Sequence, residues 1–411
     1  MSGAHEILSD EDNSVLKGLR GHGDAWIVGG WVRDFLSGST LGDLDIATTL
    51  KPSEVKEIFP RSLMFAEKYG TVTVRLDGAE EKMWDVTTLR SDGGYGDGRR
   101  PDNVEFGENI LSDLARRDFT INSLAIDEDG KIIDPFGGID DLGLKILRAV
   151  GDASERISED GLRIMRAFRF LDSGESGIRT FDESLLEAIK SNIGMIESVS
   201  KERVWSELTK ILAGRNSREI ISMMDSCGVF NTILPGISIK TDLKMTTSYL
   251  ANLALVCRDD DRSADELVCG LGDFLRISKE ESEVISFLHR CKEVDFDPSP
   301  ESIRRFRVAL PERIQKELLI YSSSLADLSE FINNIDLVSP LKAGNSPLID
   351  GHALSKLTGL GPEKRLGRLK AWLHKKQIED DLGTPEEVLS LLEAIDWENS
   401  DHEEWGALSW P

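Results

Sequence analysis

Asp43 and Asp45 stand two residues apart in Gly42-Asp43-Leu44-Asp45. On a strand, residues at that spacing face the same side, so both carboxylates would converge on one point while Leu44 turns into the core. Paired hard oxygens suit Mg²⁺, which is often held by one or two carboxylates plus substrate phosphates. Two such ions about 3.5–4 Å apart can activate an attacking hydroxyl and stabilise a leaving group. A dozen residues upstream, Gly29-Gly30 lacks Cβ atoms and lets backbone N–H groups approach a triphosphate closely. Arg33 would add positive charge at the same place. Asp-x-Asp alone is common on exposed strands and turns; the Gly-Gly turn before it gives it weight.

The first ~150 residues supply α/β elements to position these groups. Ala25–Val28 reads as a short strand entering the Gly-Gly turn, and Trp31–Leu36 as a helical turn or two. Asp43–Ala47, Thr71–Leu76 and Met83–Thr87 carry strand character. Pro52 marks a helix start for Ser53–Phe59. Ser91–Gly98 holds four glycines in eight residues and reads as a mobile loop. Helical periodicity dominates from Ser158 onward, with Pro-containing breaks at Asp295–Pro300 and Ser339–Pro347.

Gly29-Gly30-Trp31-Val32-Arg33-Asp34 followed by Asp43-Leu44-Asp45 resembles the signature of the polymerase-β-type nucleotidyltransferase superfamily. The particular form is similar to the class II tRNA CCA-adding enzymes and bacterial poly(A) polymerases. Arg116-Arg117-Asp118-Phe119-Thr120-Ile121-Asn122 resembles a second family segment, which implies that Asp118 contacts the ribose and Arg117 supports the triphosphate. A carboxylate accepting from the 2′-hydroxyl would select ribonucleotides.

Glu159–Phe170 resembles the family's base-reading helix. At 100° per residue, Asp160, Arg163, Arg166 and Arg169 fall on one half of a helix, and Ile164, Met165 and Phe168 on the other. The resemblance implies that Asp160 and Arg163 read the incoming base. An acceptor beside a donor matches cytosine and adenine, whereas guanine and uracil would leave polar groups unpaired. Arg166 and Arg169 would hold phosphates or the helix's own geometry. With Gly30 and Arg33, these form the expected nucleotide site. Lys201–Leu208 matches a helical family segment read as structural support for this helix.

Asp85–Leu89 through Arg90, Tyr95, Arg99 and Arg100 resembles the flexible loop of CCA-adding enzymes, which implies terminal adenosine addition. Asp85 is a further candidate carboxylate; a strand-end Asp holding the loop is the competing reading. Pro347–Leu354 resembles the tail of bacterial members. Within 361–376, Lys364, Arg365, Arg368, Lys370, Lys375 and Lys376 stand against Glu363 alone. Of these, Lys364, Arg365, Arg368 and Lys370 are the expected tRNA contacts.

The resemblance implies an α/β polymerase-β-like head at 1–148, then an elongated all-α neck at 149–215, body at 216–338 and tail at 339–411. The implied reaction adds CCA to tRNA from CTP and ATP with Mg²⁺, by two-metal nucleotidyl transfer that releases pyrophosphate. An enzyme adding only the terminal A, a poly(A) polymerase and a non-catalytic RNA-binding paralogue are the alternatives. Composition sets limits on the rest. The net charge of −25 demands that any nucleic-acid contact concentrate its cations locally. Four scattered cysteines carry neither zinc nor disulfide spacing and read as mostly buried thiols. No apolar run spans a membrane and no signal peptide is present, so a cytoplasmic protein without a membrane association is expected. No protein partner is evident.

Overall fold

The computed structural model describes residues 7–39, 41–66, 70–76, 82–91, 105–107, 109–294, 296–324 and 329–411. The chain divides between Pro235 and Gly236 into two compact units. The expected head and neck, with the first residues of the expected body, thus fall in the first unit.

The first unit is built on a seven-stranded sheet. Its strands are β1 (Ala25–Val28), β2 (Asp45–Thr48), β3 (Leu63–Ala66), β4 (Thr71–Val74), β5 (Trp84–Thr88), β6 (Ala125–Ile126) and β7 (Ile132–Ile133). They lie in the order β3-β4-β5-β2-β1-β6-β7. All the pairings are antiparallel except β2 with β5, which run parallel and place Asp45 in register with Asp85.

The pleat sorts side chains between two cores. Ile27, Ile46, Val72, Val74, Trp84 and Val86 pack with Val15, Leu16 and Leu19 of the Asp10–Arg20 helix on one face. Val28, Ala47 and Leu89 pack with Ile110 and Leu114 of the Ile110–Ala115 helix on the other. By alternation, Asp45 and Asp85 lie on this second side. Strand β2 begins at Asp45, so Asp43 lies in the preceding loop rather than on the strand, while Leu44 is buried as expected. The Pro52–Ile58 helix starts on its proline.

After the sheet the unit is helical. Ala153–Glu159 and Leu162–Leu171 are separate helices, because Asp160 takes an extended conformation at φ −154°, ψ 105°. This corrects the expectation of one helix through 159–170. Gly161 sits so tightly against the Met195 carbonyl that a Cβ would approach it to 2.2 Å. The break turns Asp160 back to accept from Leu162 N at 3.0 Å. Beyond it, Ile164, Met165 and Phe168 are fully buried, as the periodicity predicts. The Lys201–Leu212 helix packs alongside.

The second unit is helical among its described residues. Serine-headed capping boxes start the Ala264–Leu275 and Lys279–Arg290 helices. Leu366, Leu369 and Leu373 of the Lys364–Glu379 helix form a separate buried cluster with Leu354, Val388 and Trp405. No helix among the described residues is long and apolar enough to cross a membrane. All four cysteines are free thiols; Cys257 and Cys291 are buried, Cys227 is half-buried and Cys269 exposed.

Candidate active site

A cavity of about 690 Å³ in the first unit is lined by Gly29, Gly30, Arg33, Asp45, Arg117, Asp118, Asn122, Asp160, Arg163, Arg166, Arg169 and Phe170. Five arginines thus face three aspartates, a local reversal of the chain's overall charge. The fold brings together every expected catalytic and nucleotide-binding residue of this region except Asp43, which lies outside the lining.

The sheet end of the cavity is set by backbone conformation. Gly29 caps the Gly30–Ser37 helix at φ 70°, ψ −131°, a region that side chains rarely enter. A Cβ there would stand 2.9 Å from Arg117 Nη1 and 3.5 Å from Asp45 Oδ2. Glycine therefore lets this turn sit between a guanidinium and a carboxylate.

Asp45 opens into the cavity, yet its surroundings withdraw it from bulk water and raise its pKa. Arg117 and Arg33 oppose that rise, while Asp85 and Asp43 add to it. Asp85 accepts from Thr73 Oγ1 at 2.8 Å. These crowded oxygens suit a hard divalent cation, which would relieve their mutual repulsion. Among the described residues no three acidic, His or Cys side chains form a closed metal cage. A cation held by Asp45 and Asp43 would therefore complete its shell with other oxygens, as Mg²⁺ does with phosphates.

The arginines are held in place. Arg33 donates from Nε to Asp34 Oδ1 and from Nη1 to Asn122 Oδ1, both at 2.8 Å. Arg116 and Arg117 share the buried Asp113 at 3.0 and 3.2 Å. Burial would raise the Asp113 pKa, but Arg117 and Arg116 hold it below its ordinary value. Asp118 is only 8% exposed. Its Oδ1 accepts from Phe119 N at 2.9 Å and Asn122 Nδ2 at 3.2 Å, and Oδ2 takes both Nε and Nη2 of Arg166. Burial works against its charge; Arg166 overcomes that and lowers the pKa. A carboxylate offers about four lone-pair sites, and here all are engaged.

Phe170 collects three guanidiniums: Arg169 at 4.2 Å from the ring centre, Arg33 and Arg166 at 5.2 Å. Arg163 ion-pairs with Glu159, donates to Arg156 O at 2.6 Å and to Arg116 O at 3.2 Å. With five N–H donors, a guanidinium so placed still has two for a ligand. Asp160 is paired with Arg203, Oδ2 to Nη2 at 2.7 Å. Four residues further along the same helix, Glu207 takes Arg169 at 3.1 Å. Sequence reasoning placed neither Arg203 nor Glu207 at the site; opposite charges at i, i+4 on an amphipathic helix were the available signal. Phe170 closed the segment already singled out.

Arg90 pairs with Phe106 and Ser91 with Glu105 as short antiparallel strands. Tyr95, Arg99 and Arg100 lie outside the described residues. In the second unit, Lys364, Arg365 and Arg368 are engaged by residues 397–405, and Lys370 is half-buried.

The chain is similar to known proteins in both sequence and fold. Residues 25–148 match the model of the poly A polymerase head domain, and residues 180–240 that of the probable RNA and SrmB-binding site of polymerase A. The CCA-adding enzyme of Streptococcus pyogenes serotype M2 (strain MGAS10270) is 34% identical over 388 residues, covering 90% of this chain and 92% of its own. That of Geobacillus kaustophilus (strain HTA426) is 39% identical over 281 residues, 66% of each chain. The matched stretch spans 57% of the Geobacillus thermodenitrificans (strain NG80-2) relative. In fold, the chain superposes on the Bacillus stearothermophilus CCA-adding enzyme in complex with CTP with a TM-score of 0.77, at 24% identity over 93% of this chain and 96% of that one. The Thermotoga maritima CCA-adding enzyme complexed with tRNA gives 0.64 at 21% identity, over 95% and 97%. An α/β head bearing the cavity, a helical remainder and a relative matched over nearly its whole length lead to one conclusion: this chain belongs to the family of CCA-adding enzymes.

Proposed function

We propose that this chain adds CCA to the 3′ end of tRNA from CTP and ATP, without a nucleic-acid template. The observation that carries this reading is the single cavity joining Asp45 at the sheet to Asp160 and Arg163 at the helix pair, across a surface of arginines. Solved relatives bear CTP, ATP or tRNA in their own complexes.

In this reading the tRNA 3′-hydroxyl gives up its proton to water and attacks the α-phosphorus in line, an O–P bond forms, the α–β phosphoanhydride breaks, and pyrophosphate leaves. Bound Mg²⁺ ions, held by Asp43 and Asp45, would supply charge neutralisation and a more acidic 3′-hydroxyl. Gly29 and Gly30 keep the approach to Asp45 open to phosphate oxygens. Arg33 and Arg117 balance the triphosphate's charge from fixed positions. Little covalent chemistry is asked of the protein; positioning and electrostatics do most of it.

Asp160 and Arg163 present an acceptor beside a donor. The Asp160 Oδ2 that Arg203 engages has a second lone pair for the amino group of cytosine or adenine, and Arg163 has N–H donors for the neighbouring ring nitrogen. Asp118, with its oxygens filled, fixes Arg166 against Phe170 and contacts a ribose only where one of those bonds yields.

Purified full-length chain given tRNA lacking its CCA end and CTP alone should add two cytidines, and ATP should then complete the end. Failure to incorporate C while adding A to tRNA ending in CC would establish an A-adding enzyme instead.

A further inference from the structure

The Lys364–Glu379 helix reads from sequence as a face for RNA phosphates, yet the structure covers it with acid. Lys364 ion-pairs with Glu403, and Arg368 Nη2 stands 3.3 Å from the same carboxylate. Arg365 donates to the carbonyls of Trp397 and Ser400 at 2.8 and 3.0 Å, and its guanidinium lies 5.7 Å from the centre of the Trp405 ring. The covering segment, Asp396 to Glu404, carries five carboxylates in nine residues. Hydrogen bonding and charge from Lys364, then the charges of Arg368 and His402, hold Glu403 below its ordinary pKa.

The segment is fastened and exchangeable at once. Trp405 is buried in the cluster of Leu366, Leu369 and Leu373, which keeps the acid local to the helix. Glu398, Asp401, Glu403 and Glu404 are exposed, and the side chains of Lys364 and Glu403 are 67% and 48% exposed. Exposed ion pairs of this kind are weak and are screened further by salt. A phosphate can therefore replace Glu403 at small cost, and a guanidinium such as Arg368 can grip it with two bonds.

We propose that residues 396–404 form an acidic clasp over a phosphate-binding face of the Lys364–Glu379 helix, and that the tRNA backbone binds there by displacing Glu403 from Lys364 and Arg368. The proposal rests on the reading that this chain acts on tRNA. The clasp competes with every polyanion, so a spaced phosphate array, which makes several contacts at once, opens it more readily than an isolated phosphate. Salt weakens clasp and RNA contacts together, which makes wild-type binding less salt-dependent than the bare helix face would be.

The test is tRNA binding by the full chain, measured by fluorescence anisotropy across a salt series, with Glu403→Gln and, as an equal charge change on the same segment, Glu404→Gln. Glu403→Gln should tighten binding about two- to fivefold at low salt, the scale of one exposed pair, with the gain shrinking as salt rises. Glu404→Gln should gain less. In the Lys364→Gln/Arg368→Gln background the Glu403→Gln gain should vanish. Equal gains from both glutamates, a gain that survives in that background, or weaker binding by Glu403→Gln each overturn the clasp. A wild-type chain that extends tRNA but shows no such gain leaves the reaction standing without the clasp. A chain that binds no tRNA removes the reading beneath both.

Discussion

Arg203 Nη2 lies 2.7 Å from Asp160 Oδ2, although 43 residues separate the two in sequence. The pair fixes the carboxylate in one rotamer and leaves Oδ2 a second lone pair to accept with. Replacing Arg203 with Gln should therefore degrade base choice more than rate. CTP-over-UTP discrimination in single-nucleotide addition should fall about tenfold, the scale of one charge-assisted hydrogen bond, with Arg203→Lys restoring part of it. Unchanged discrimination would assign Arg203 to scaffolding alone.

Asp45→Asn keeps the shape of the cavity and removes one negative oxygen from the expected cation site. Nucleotide incorporation should drop about 10²–10³-fold, as when a preorganised electrostatic contact at a reacting centre is lost. tRNA binding should be retained. Full activity in Asp45→Asn would sink the catalytic assignment.

The pH dependence of Asp45 follows from its surroundings. Withdrawal from water and the neighbouring Asp85 and Asp43 raise its pKa, against the pull of Arg117 and Arg33. The ionised form is lost as pH falls through that raised value, so Mg²⁺ binding by the free chain should weaken at a pH above the usual aspartate pKa of about 4. Arg117→Gln removes the largest opposing charge and should move that loss to still higher pH. An unmoved pH dependence of Mg²⁺ binding in that variant counts against Asp45 as the group observed.

Gly29→Ala tests the turn. At φ 70° with Arg117 Nη1 2.9 Å from the new methyl, the substitution should cost on the order of 1–3 kcal/mol, seen as a lower Tm. It should also raise KM for nucleotides, because the Arg117 guanidinium must move. Wild-type values for both would show the turn to be relaxed.

Arg166→Met leaves Asp118 buried without its cation and should destabilise the first unit by about 3 kcal/mol. The Asp118 pKa is depressed in the folded chain, so the unfolded chain binds that proton more tightly. The pair's stabilisation is therefore full above the ordinary aspartate value of about 4 and disappears as pH falls through the lower folded value. Denaturant midpoints of wild type and Arg166→Met should converge over that acidic range; parallel curves would refute the assignment.

Much of this site was legible in the sequence because local pattern carried it. The Gly-Gly turn, the strand rhythm around Asp45 and the burial of Ile164, Met165 and Phe168 are all set within a few residues. What escaped depends on tertiary approach. Asp160 leaves the helix because Gly161 packs against Met195, a contact that periodicity does not reveal. Arg203 and Glu207 reach the site only through packing of the Lys201–Leu212 helix. The basic tail was visible as composition, while the acid lying on it, some 35–40 residues later in sequence, was not.

The parallel pairing of β2 with β5 has a consequence for how this chain can change. Asp45 and Asp85 meet through backbone register, so the length of the connection between the strands can drift without parting them. Parity inside either strand cannot drift, since one inserted residue turns every following side chain to the opposite face. Lineages and designed variants should thus tolerate insertions between residues 49 and 83 outside the strands, and reject any odd-numbered insertion within 45–48 or 84–88.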